Sequence, residues 1–134
     1  MKTLLLSLIL ISAPVAPAVA QDWAIDGFDA VDFLERGRPV PGRGDIATMW
    51  KGQVWHFATE ENRNRFEADP RSFAPAFDGL CPVALSKGRR VRGDPRHFVV
   101  IGNRLYLLGS PGAVQELRRD PKTVLGRAKA NWGR

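Results

Sequence analysis

The sequence has little of the side-chain chemistry on which most enzymes and metal sites depend. Its 134 residues include one cysteine and two histidines. A single cysteine, Cys81, excludes a disulfide bond within the chain. No paired catalytic acids, Gly-rich phosphate loop or Ser-His-Asp arrangement stands out, so an ordinary hydrolase or nucleotide enzyme is not expected and no catalytic residue is assigned.

Long apolar runs are equally scarce. The only marked run, from Leu4 to Ile11, follows the basic Lys2 and precedes the small-residue box Ala18-Val19-Ala20. This order is typical of a secretory signal peptide, and it predicts that residues 1–20 are removed. No later run approaches the roughly 20 residues of a spanning helix. We therefore expect an exported chain, residues 21–134, that is periplasmic or secreted and has no transmembrane segment after cleavage.

Positive charge exceeds negative charge. The chain has 20 Lys and Arg against 14 Asp and Glu, a formal net charge of +6. The basic residues are spread along the chain, with Arg89-Arg90-Val91-Arg92 as the one dense cluster. Such a balance favours solubility, or an anionic lipid or polysaccharide surface, and export argues against nucleic acid as a partner.

Local signals predict helices near both ends of the exported chain. Asp29 is a suitable N-cap for a short helix that runs to Glu35, and Gly37 follows as a stop. The Pro- and Gly-rich stretch 38–44 is predicted to be a loop. Apolar residues at helical spacing predict a closing helix over 122–132, with Trp132 turned inward.

Two similar stretches lie between these helices. Residues 46–57 and 99–108 are each predicted to form a hairpin around a glycine-containing turn, followed by a helix that Thr59 or Ser110 caps and that ends near Asp-Pro. A shift of 51 positions superposes the two stretches in step. The sequence thus predicts an α+β fold in which two ββα units, about 46–70 and 97–121, share one core, with a short N-terminal helix and a C-terminal helix.

Four separated motifs resemble the YHS domain family, specifically its exported stand-alone branch. They are Gly27-Phe28-Asp29-Ala30-Val31, Trp55-His56-Phe57-Ala58-Thr59 with the helix to Asp69-Pro70, Gly79-Leu80-Cys81-Pro82-Val83-Ala84, and Ala128-Lys129-Ala130-Asn131-Trp132. They occur in the family's order. The resemblance covers residues 21–134 and implies a single YHS-like domain.

Metal-associated relatives in that family carry two cysteines where this chain has Ala58 and Asn62. Such a pair of cysteines can coordinate zinc or copper in a knuckle motif. The repeat places Gly109 and Ala113 at the equivalent positions, which offer no ligand either. The resemblance therefore implies the fold more strongly than it implies a metal.

The candidate site centres on Cys81, which Pro82 is expected to place at the start of a short helix. If Cys81 meets His56 and Met49, soft sulfur and imidazole ligands would suit a copper or zinc ion. Buried free cysteine is also a common packing residue. Three further side chains are candidates for lining a pocket between the two units, namely Trp55, His97 and Tyr106.

Three functions remain open at this point. The leading one is an exported YHS-like binding module for a metal ion, copper or zinc, or for a small ligand. The second is a thiol-dependent redox protein or enzyme that uses an acidified Cys81. The third is a structural or protein-interaction domain that has no small ligand.

Overall fold

A computed structural model describes residues 13–16 and 22–134. Residues 13–16 are exposed and have no regular secondary structure. The rest of the predicted signal peptide, including its cleavage box, lies outside the described residues. Within the described part of the chain, no helix has both the length and the apolar character needed to cross a membrane.

The described chain from residue 22 onward forms the same series of six elements twice. The first series is a 3₁₀ turn Ala24–Gly27, α1 Ala30–Glu35, β1 Arg43–Trp50, β2 Gln53–Phe57, α2 Glu60–Ala68 and α3 Pro70–Phe73. The second is a 3₁₀ turn Ala76–Gly79, α4 Pro82–Ser86, β3 Asp94–Ile101, β4 Arg104–Leu108, α5 Pro111–Arg119 and α6 Pro121–Trp132. We call residues 22–75 the first unit and residues 76–134 the second unit.

The predicted α+β class is confirmed: helices accompany two antiparallel two-stranded sheets, β1–β2 and β3–β4. Each unit is longer than the predicted ββα motif, because a 3₁₀ turn and a helix precede the hairpin and a further helix follows. The predicted N-terminal helix is therefore α1 of the first unit, and its counterpart is α4. The predicted C-terminal helix is α6, and its counterpart is α3.

Backbone details repeat along with the elements. The two 3₁₀ turns hold non-glycine residues at positive φ at matching places, Ile25 and Asp26 in one and Phe77 and Asp78 in the other. After each turn, an N–H reaches across to the segment before the hairpin: Asp29 N donates to Val40 O at 2.8 Å, and Cys81 N donates to Val91 O at 2.7 Å. Equivalent backbone bonds in both units support the internal repeat.

Helix starts follow the predicted capping chemistry. Asp29 Oδ1 accepts from the N–H of Val31 at 2.9 Å at the start of α1. Thr59 and Ser110 Oγ atoms each accept an N–H from three residues later at 3.1 Å, at the starts of α2 and α5. Each cap satisfies a backbone donor that the first helical turn leaves without an intrahelical partner.

Both hairpins are built alike. Their two-residue turns, Lys51-Gly52 and Gly102-Asn103, have positive φ at both positions, the geometry of the turn that best matches strand twist. The outer strands begin at Arg43 and Asp94 and carry a register shift before Ala47 and before Phe98. The predicted loop 38–44 was therefore wrong at its end, because β1 begins at Arg43 and includes Gly44.

The core consists of two clusters. The first joins residues of the first unit to Leu105 and Leu107 of the second unit. The second contains Cys81 and the packing residues of α4, α5 and α6. Trp132 was predicted to point inward, but it is 36% exposed, because its ring packs at the surface between Phe77 and the Arg90 guanidinium.

Candidate functional site

A pocket of about 550 Å³ opens between the two units. The first unit contributes the tip of its hairpin and its 3₁₀ turn, and the second contributes its own 3₁₀ turn and the base of its hairpin. The lining residues are Ile25, Asp26, Trp50, Lys51, Gln53, Trp55, Ala74, Pro75, Asp78, Gly79, Arg92, Gly93, Asp94, Pro95 and Leu107. The site is thus formed jointly by the two repeats.

Two indoles form the aromatic part of the pocket wall. The rings of Trp50 and Trp55 meet edge to face, with centroids 5.6 Å apart. Trp55 Nε1 donates to Trp50 O at 3.0 Å, so the buried indole has its polar atom satisfied within the hairpin. Phe66 of α2 packs against both rings from within the core, with its ring centroid 5.7 Å from that of Trp50 and 4.8 Å from that of Trp55. The aromatic wall is therefore held in place by packing before any ligand arrives.

Charged side chains from both units contribute to the pocket lining and its surroundings. Lys51 Nζ lies 3.5 Å from Asp78 Oδ1, and this pair joins the first hairpin tip to the second 3₁₀ turn. Arg96 contacts Asp26 at 3.7 Å and Asp94 at 3.1 Å. The N–H and the guanidinium of Arg96 lower the pKa of Asp94 below its usual value, with the N–H as the larger cause. The pairs Lys51–Asp78 and Asp26–Arg96 are exposed and link the two units.

Of the three predicted pocket residues, Trp55 lines this pocket. His97 lies instead in a shallower depression of about 250 Å³, beside Phe98 and Arg118. Tyr106 is 8% exposed and packs in the second core cluster, with its ring 6.2 Å from that of Phe77. Burial raises the pKa of the Tyr106 hydroxyl. Tyr106 occupies in the second unit the strand position that Trp55 occupies in the first.

Cys81 is the N-cap residue of α4, as predicted, and it is 2% exposed. Its neighbours are the apolar residues of the second cluster, among them Val83, Leu108 and Leu117. A β-carbon at Gly109 would lie 3.9 Å from Cys81 Cβ. The side chain thus belongs to the packed interior of the second unit and does not line the pocket.

His56 and Met49 belong to the first unit. His56 is 6% exposed, and its ring packs edge-on against Trp23, with ring centroids 4.6 Å apart. Met49 is 66% exposed on β1. Among residues 13–16 and 22–134, no group of three or more His, Cys, Asp or Glu side chains is placed to hold a metal ion. Cys81 thus belongs to the second unit, whereas His56 and Met49 both belong to the first.

A buried polar network links α1 to α2 in the first unit. Asp29 Oδ2 accepts from Ala58 N at 2.7 Å and from Asn62 Nδ2 at 2.8 Å, and the same amide donates to Asp32 Oδ1 at 3.2 Å. Asp32 Oδ2 is buried without a hydrogen-bond partner among the described residues. Burial, followed by the nearby Asp29 carboxylate, raises the pKa of Asp32.

The second unit replaces this network with apolar residues. The positions equivalent to Asp29, Asp32 and Asn62 are occupied by Cys81, Ala84 and Ala113. The candidate metal-ligand position Asn62 thus serves as a hydrogen-bond donor between two carboxylates. Its counterpart in the other repeat makes an apolar contact with the second cluster.

Sequence reasoning did not select the charged pocket residues. A signal for two of them is present, since Ala-Ile-Asp-Gly at 24–27 and Ala-Phe-Asp-Gly at 76–79 match at a shift of 52 rather than 51. Arg92 and Asp94 carry no comparable signal, because their place in the pocket depends on how the two units pack together. Comparison with protein-family models, curated proteins and solved structures gives no match for this chain.

Proposed function

We propose that this protein is an exported, YHS-like binding module for a small organic ligand, and that the pocket between its two units is the binding site. The observation that carries the proposal is the pocket itself, about 550 Å³ in volume and walled by Trp50 and Trp55. Ligand sites are commonly concave, about 300–1,000 Å³ in volume, and lined by apolar and aromatic groups with a few polar ones.

The apolar wall accounts for affinity. Ile25 and Leu107 face the pocket together with the two indoles. Removing apolar ligand surface from water against such a wall contributes about 25 cal/mol per Å² before the cost of association is subtracted. A planar ring or an aliphatic group of the ligand would occupy this part of the site.

The surrounding charges account for selectivity. The pairs Lys51–Asp78 and Asp26–Arg96 are exposed at both partners, so each contributes little to stability and separates at little cost. A ligand that carries a carboxylate, an amine or both would exchange these weak pairs for its own contacts. The ligand class that fits best is therefore a small amphipathic molecule with polar or charged groups at one end.

Export and family membership form part of the same proposal. The order of basic, apolar and small residues in 1–20 supports a signal peptide. The four motifs named above support the YHS resemblance. The absence of cysteines at positions 58 and 62 favours an organic ligand over a metal ion. The burial of Cys81 in the second cluster favours it too, since His56 and Met49 both belong to the first unit.

Binding is testable with the fluorescent probe 1-anilinonaphthalene-8-sulfonate, whose rings and sulfonate match the wall and the charged surroundings. We expect saturable fluorescence enhancement with one site per chain. Trp50→Ala should weaken probe binding about tenfold, equivalent to about 1.4 kcal/mol, because one wall of the pocket is lost. Small molecules that displace the probe should also raise Tm, as expected for ligands that bind the folded state.

The repeat supplies a matched control. Ile101 occupies in β3 the position that Trp50 occupies in β1, but it does not line the pocket. Ile101→Ala should leave probe binding unchanged, and circular dichroism should show that both variants are folded. Equal losses in the two variants, or none in Trp50→Ala, would contradict the pocket assignment.

The metal alternative is tested on the same protein. Titration with Zn(II) and with Cu(I) should give no tight site that depends on the thiol. A tight site that disappears in Cys81→Ser would support the metal-binding alternative and would place the metal outside the pocket, since Cys81 does not line it.

A further inference from the structure

The second unit has a strongly basic surface. Residues 22–75 contain seven Arg and Lys against ten Asp and Glu, a formal charge of −3. Residues 76–134 contain twelve Arg and Lys against four Asp and Glu, a formal charge of +8. Basic residues occur in both units, but ten of the 14 acidic residues lie in the first unit, so the net positive charge belongs to the second.

Few of these positive charges are neutralised. Within the described part of the chain, Lys87 and Arg96 are the ones of the second unit that form salt bridges. The four acidic residues of the unit already have partners. Glu116 pairs with Lys87, and Asp78 and Asp94 form ion pairs at the pocket. Asp120 is the N-cap of α6 and accepts the N–H of Thr123 at 3.3 Å. Apart from Arg104, which donates to Arg71 O, the remaining cations are exposed.

Eight exposed cations lie in the loop after α4 and along the last two helices. We call them the basic surface: Arg89, Arg90, Arg118, Arg119, Lys122, Arg127, Lys129 and Arg134. Lys122 and Lys129 are seven residues apart on α6, so they point to nearly the same side, away from the buried Val124 and Ala128. A helix of this length extends the positive charge over roughly 18 Å.

Two exposed apolar side chains lie within the basic surface. Val91 is 42% exposed between Arg90 and Arg92, and Trp132 is 36% exposed at the end of α6. The Arg90 guanidinium joins loop and helix, because it donates to Trp132 O at 3.2 Å and lies 5.4 Å from the Trp132 ring centroid. An exposed indole beside a basic side chain is typical of proteins that lie at the boundary of lipid headgroups.

We propose that the basic surface docks this protein on anionic phospholipid headgroups, with Val91 and Trp132 touching the acyl boundary. Each Lys or Arg near an anionic bilayer contributes about fivefold to binding. The exposed apolar pair favours a lipid surface over a soluble polyanion, which would engage the charges alone.

Vesicle co-sedimentation tests the proposal. The purified full chain should bind vesicles containing one third phosphatidylglycerol and not vesicles of phosphatidylcholine. Raising NaCl from about 0.1 M to about 1 M should abolish binding, because the screening length falls from about 10 Å to about 3 Å. Exchanging Arg89, Lys122 and Lys129 for Gln should weaken binding about a hundredfold if all three contact the surface.

The first unit supplies a control of equal charge. Exchanging its exposed Arg38, Arg43 and Arg71 for Gln removes the same formal charge outside the basic surface, and this variant should bind like the parent protein. All versions share residues 1–20, so differences between them report only the exchanged side chains. Equal weakening in both triple variants would overturn the proposal, since net charge alone would then control binding.

The apolar pair separates a membrane from a soluble polyanion. Trp132→Ala should weaken vesicle binding by at least tenfold while retention on a heparin column stays unchanged. Heparin retention without vesicle binding by the parent protein would also overturn the proposal, and it would identify an acidic polysaccharide as the partner instead.

Discussion

The residue that best shows how the two repeats differ is Asp29. In the first unit its carboxylate accepts N–H groups from Val31, Ala58 and Asn62 and thereby joins α1, β2 and α2. In the second unit Cys81 fills that place and contributes packing instead of hydrogen bonds. Buried polar groups stabilise a fold only when their partners are complete, so the first unit depends on a few specific side chains.

Asp32 makes the stability of the first unit depend on pH. Its pKa is raised in the folded chain, chiefly by burial and next by Asp29. Above the ordinary pKa of about 3.9, the folded chain therefore holds a proton that the unfolded chain has lost. The free energy of unfolding should fall as pH rises through the interval between the ordinary and the raised pKa.

Urea unfolding from pH 4 to pH 8 measures this effect when the parent protein is compared with Asp32→Asn. The parent's stability relative to that variant should be greatest at the acidic end and should decline as pH rises. Glu67→Gln, an exposed position on α2, controls for the loss of one formal charge. A parent-to-variant difference that stays constant over the whole range would rule out this role for Asp32.

For individual residues, the sequence predicts the contacts that join side chains and backbone groups close together in the chain. The caps Asp29, Thr59 and Ser110 follow from side chains that reach a backbone two or three residues away. The partners of Asn62 and the packing of His56 on Trp23 involve residues about 30 positions apart. No local pattern carries that information, so these contacts required the structure.

Among the elements, the hairpins leave the least space for a side chain at two glycine positions. At the base of each hairpin a glycine approaches the opposite strand closely, Gly42 in the first unit and Gly93 in the second. A β-carbon at Gly42 would lie 2.6 Å from the backbone carbonyl carbon of His56, and one at Gly93 would collide with the Leu107 carbonyl. These two contacts explain why glycine recurs at this step of the repeat.

Alanine at either position should therefore destabilise the protein. We expect Gly42→Ala and Gly93→Ala to lower the free energy of unfolding by about 2–3 kcal/mol, because a backbone cannot rearrange as a side-chain tip does. Gly44→Ala is the matched control, since Gly44 lies two residues after Gly42, within β1, and nothing lies within 4 Å of the added carbon. Chemical denaturation should separate the two classes, and a Gly44→Ala loss as large as the others would contradict this explanation.

The second half of each unit is easier to predict than the first half. Turn residues, caps and Asp-Pro helix stops recur at a constant shift of 51 and identify the hairpin and the helix that follows. The first halves share fewer residues, and their shift changes: Ala-x-Asp-Gly matches at 52 positions, whereas Gly42 and Gly93 match at 51. The helices α1 and α4 are short and differ in chemistry, so their equivalence is visible only in the backbone.

In the whole molecule, the two units are joined through their cores. Leu105 and Leu107 of β4 pack into the first cluster together with residues of α1 and the first hairpin. The same Leu107 lines the pocket. The pocket walls and the junction of the units therefore depend on the same strand.

Leu105→Ala should consequently weaken both units together. We expect a loss of about 2–5 kcal/mol in the free energy of unfolding, as for other fully buried leucines. In a Trp132→Phe background all indoles lie in the first unit, so their fluorescence reports that unit while far-ultraviolet circular dichroism reports both. The two signals should shift to the same lower denaturant midpoint.

The exposed Val100 of the neighbouring strand supplies the control. Val100→Ala, at a side chain 37% exposed, should shift the midpoint little. Separate fluorescence and dichroism transitions in Leu105→Ala would show that the units unfold independently, contrary to the shared first cluster.

Whole-molecule features were the hardest to foresee. The sequence indicates two units and so a junction between them, and it selects Trp55, which does line the pocket. It does not show which faces of the units meet. That arrangement decides that Asp26 and Asp78 line the pocket and that Cys81 is enclosed, and it is set by packing between residues far apart in sequence.

The register shifts near the starts of β1 and β3 also protect the chain from self-association. Each sheet has two strands, so an outer strand leaves backbone groups free to recruit a strand from another molecule. A bulge interrupts the regular spacing of those groups and twists the strand away from a straight template. A chain with two such small sheets can therefore remain dispersed at concentrations where flat, unbroken edges would begin to form fibres.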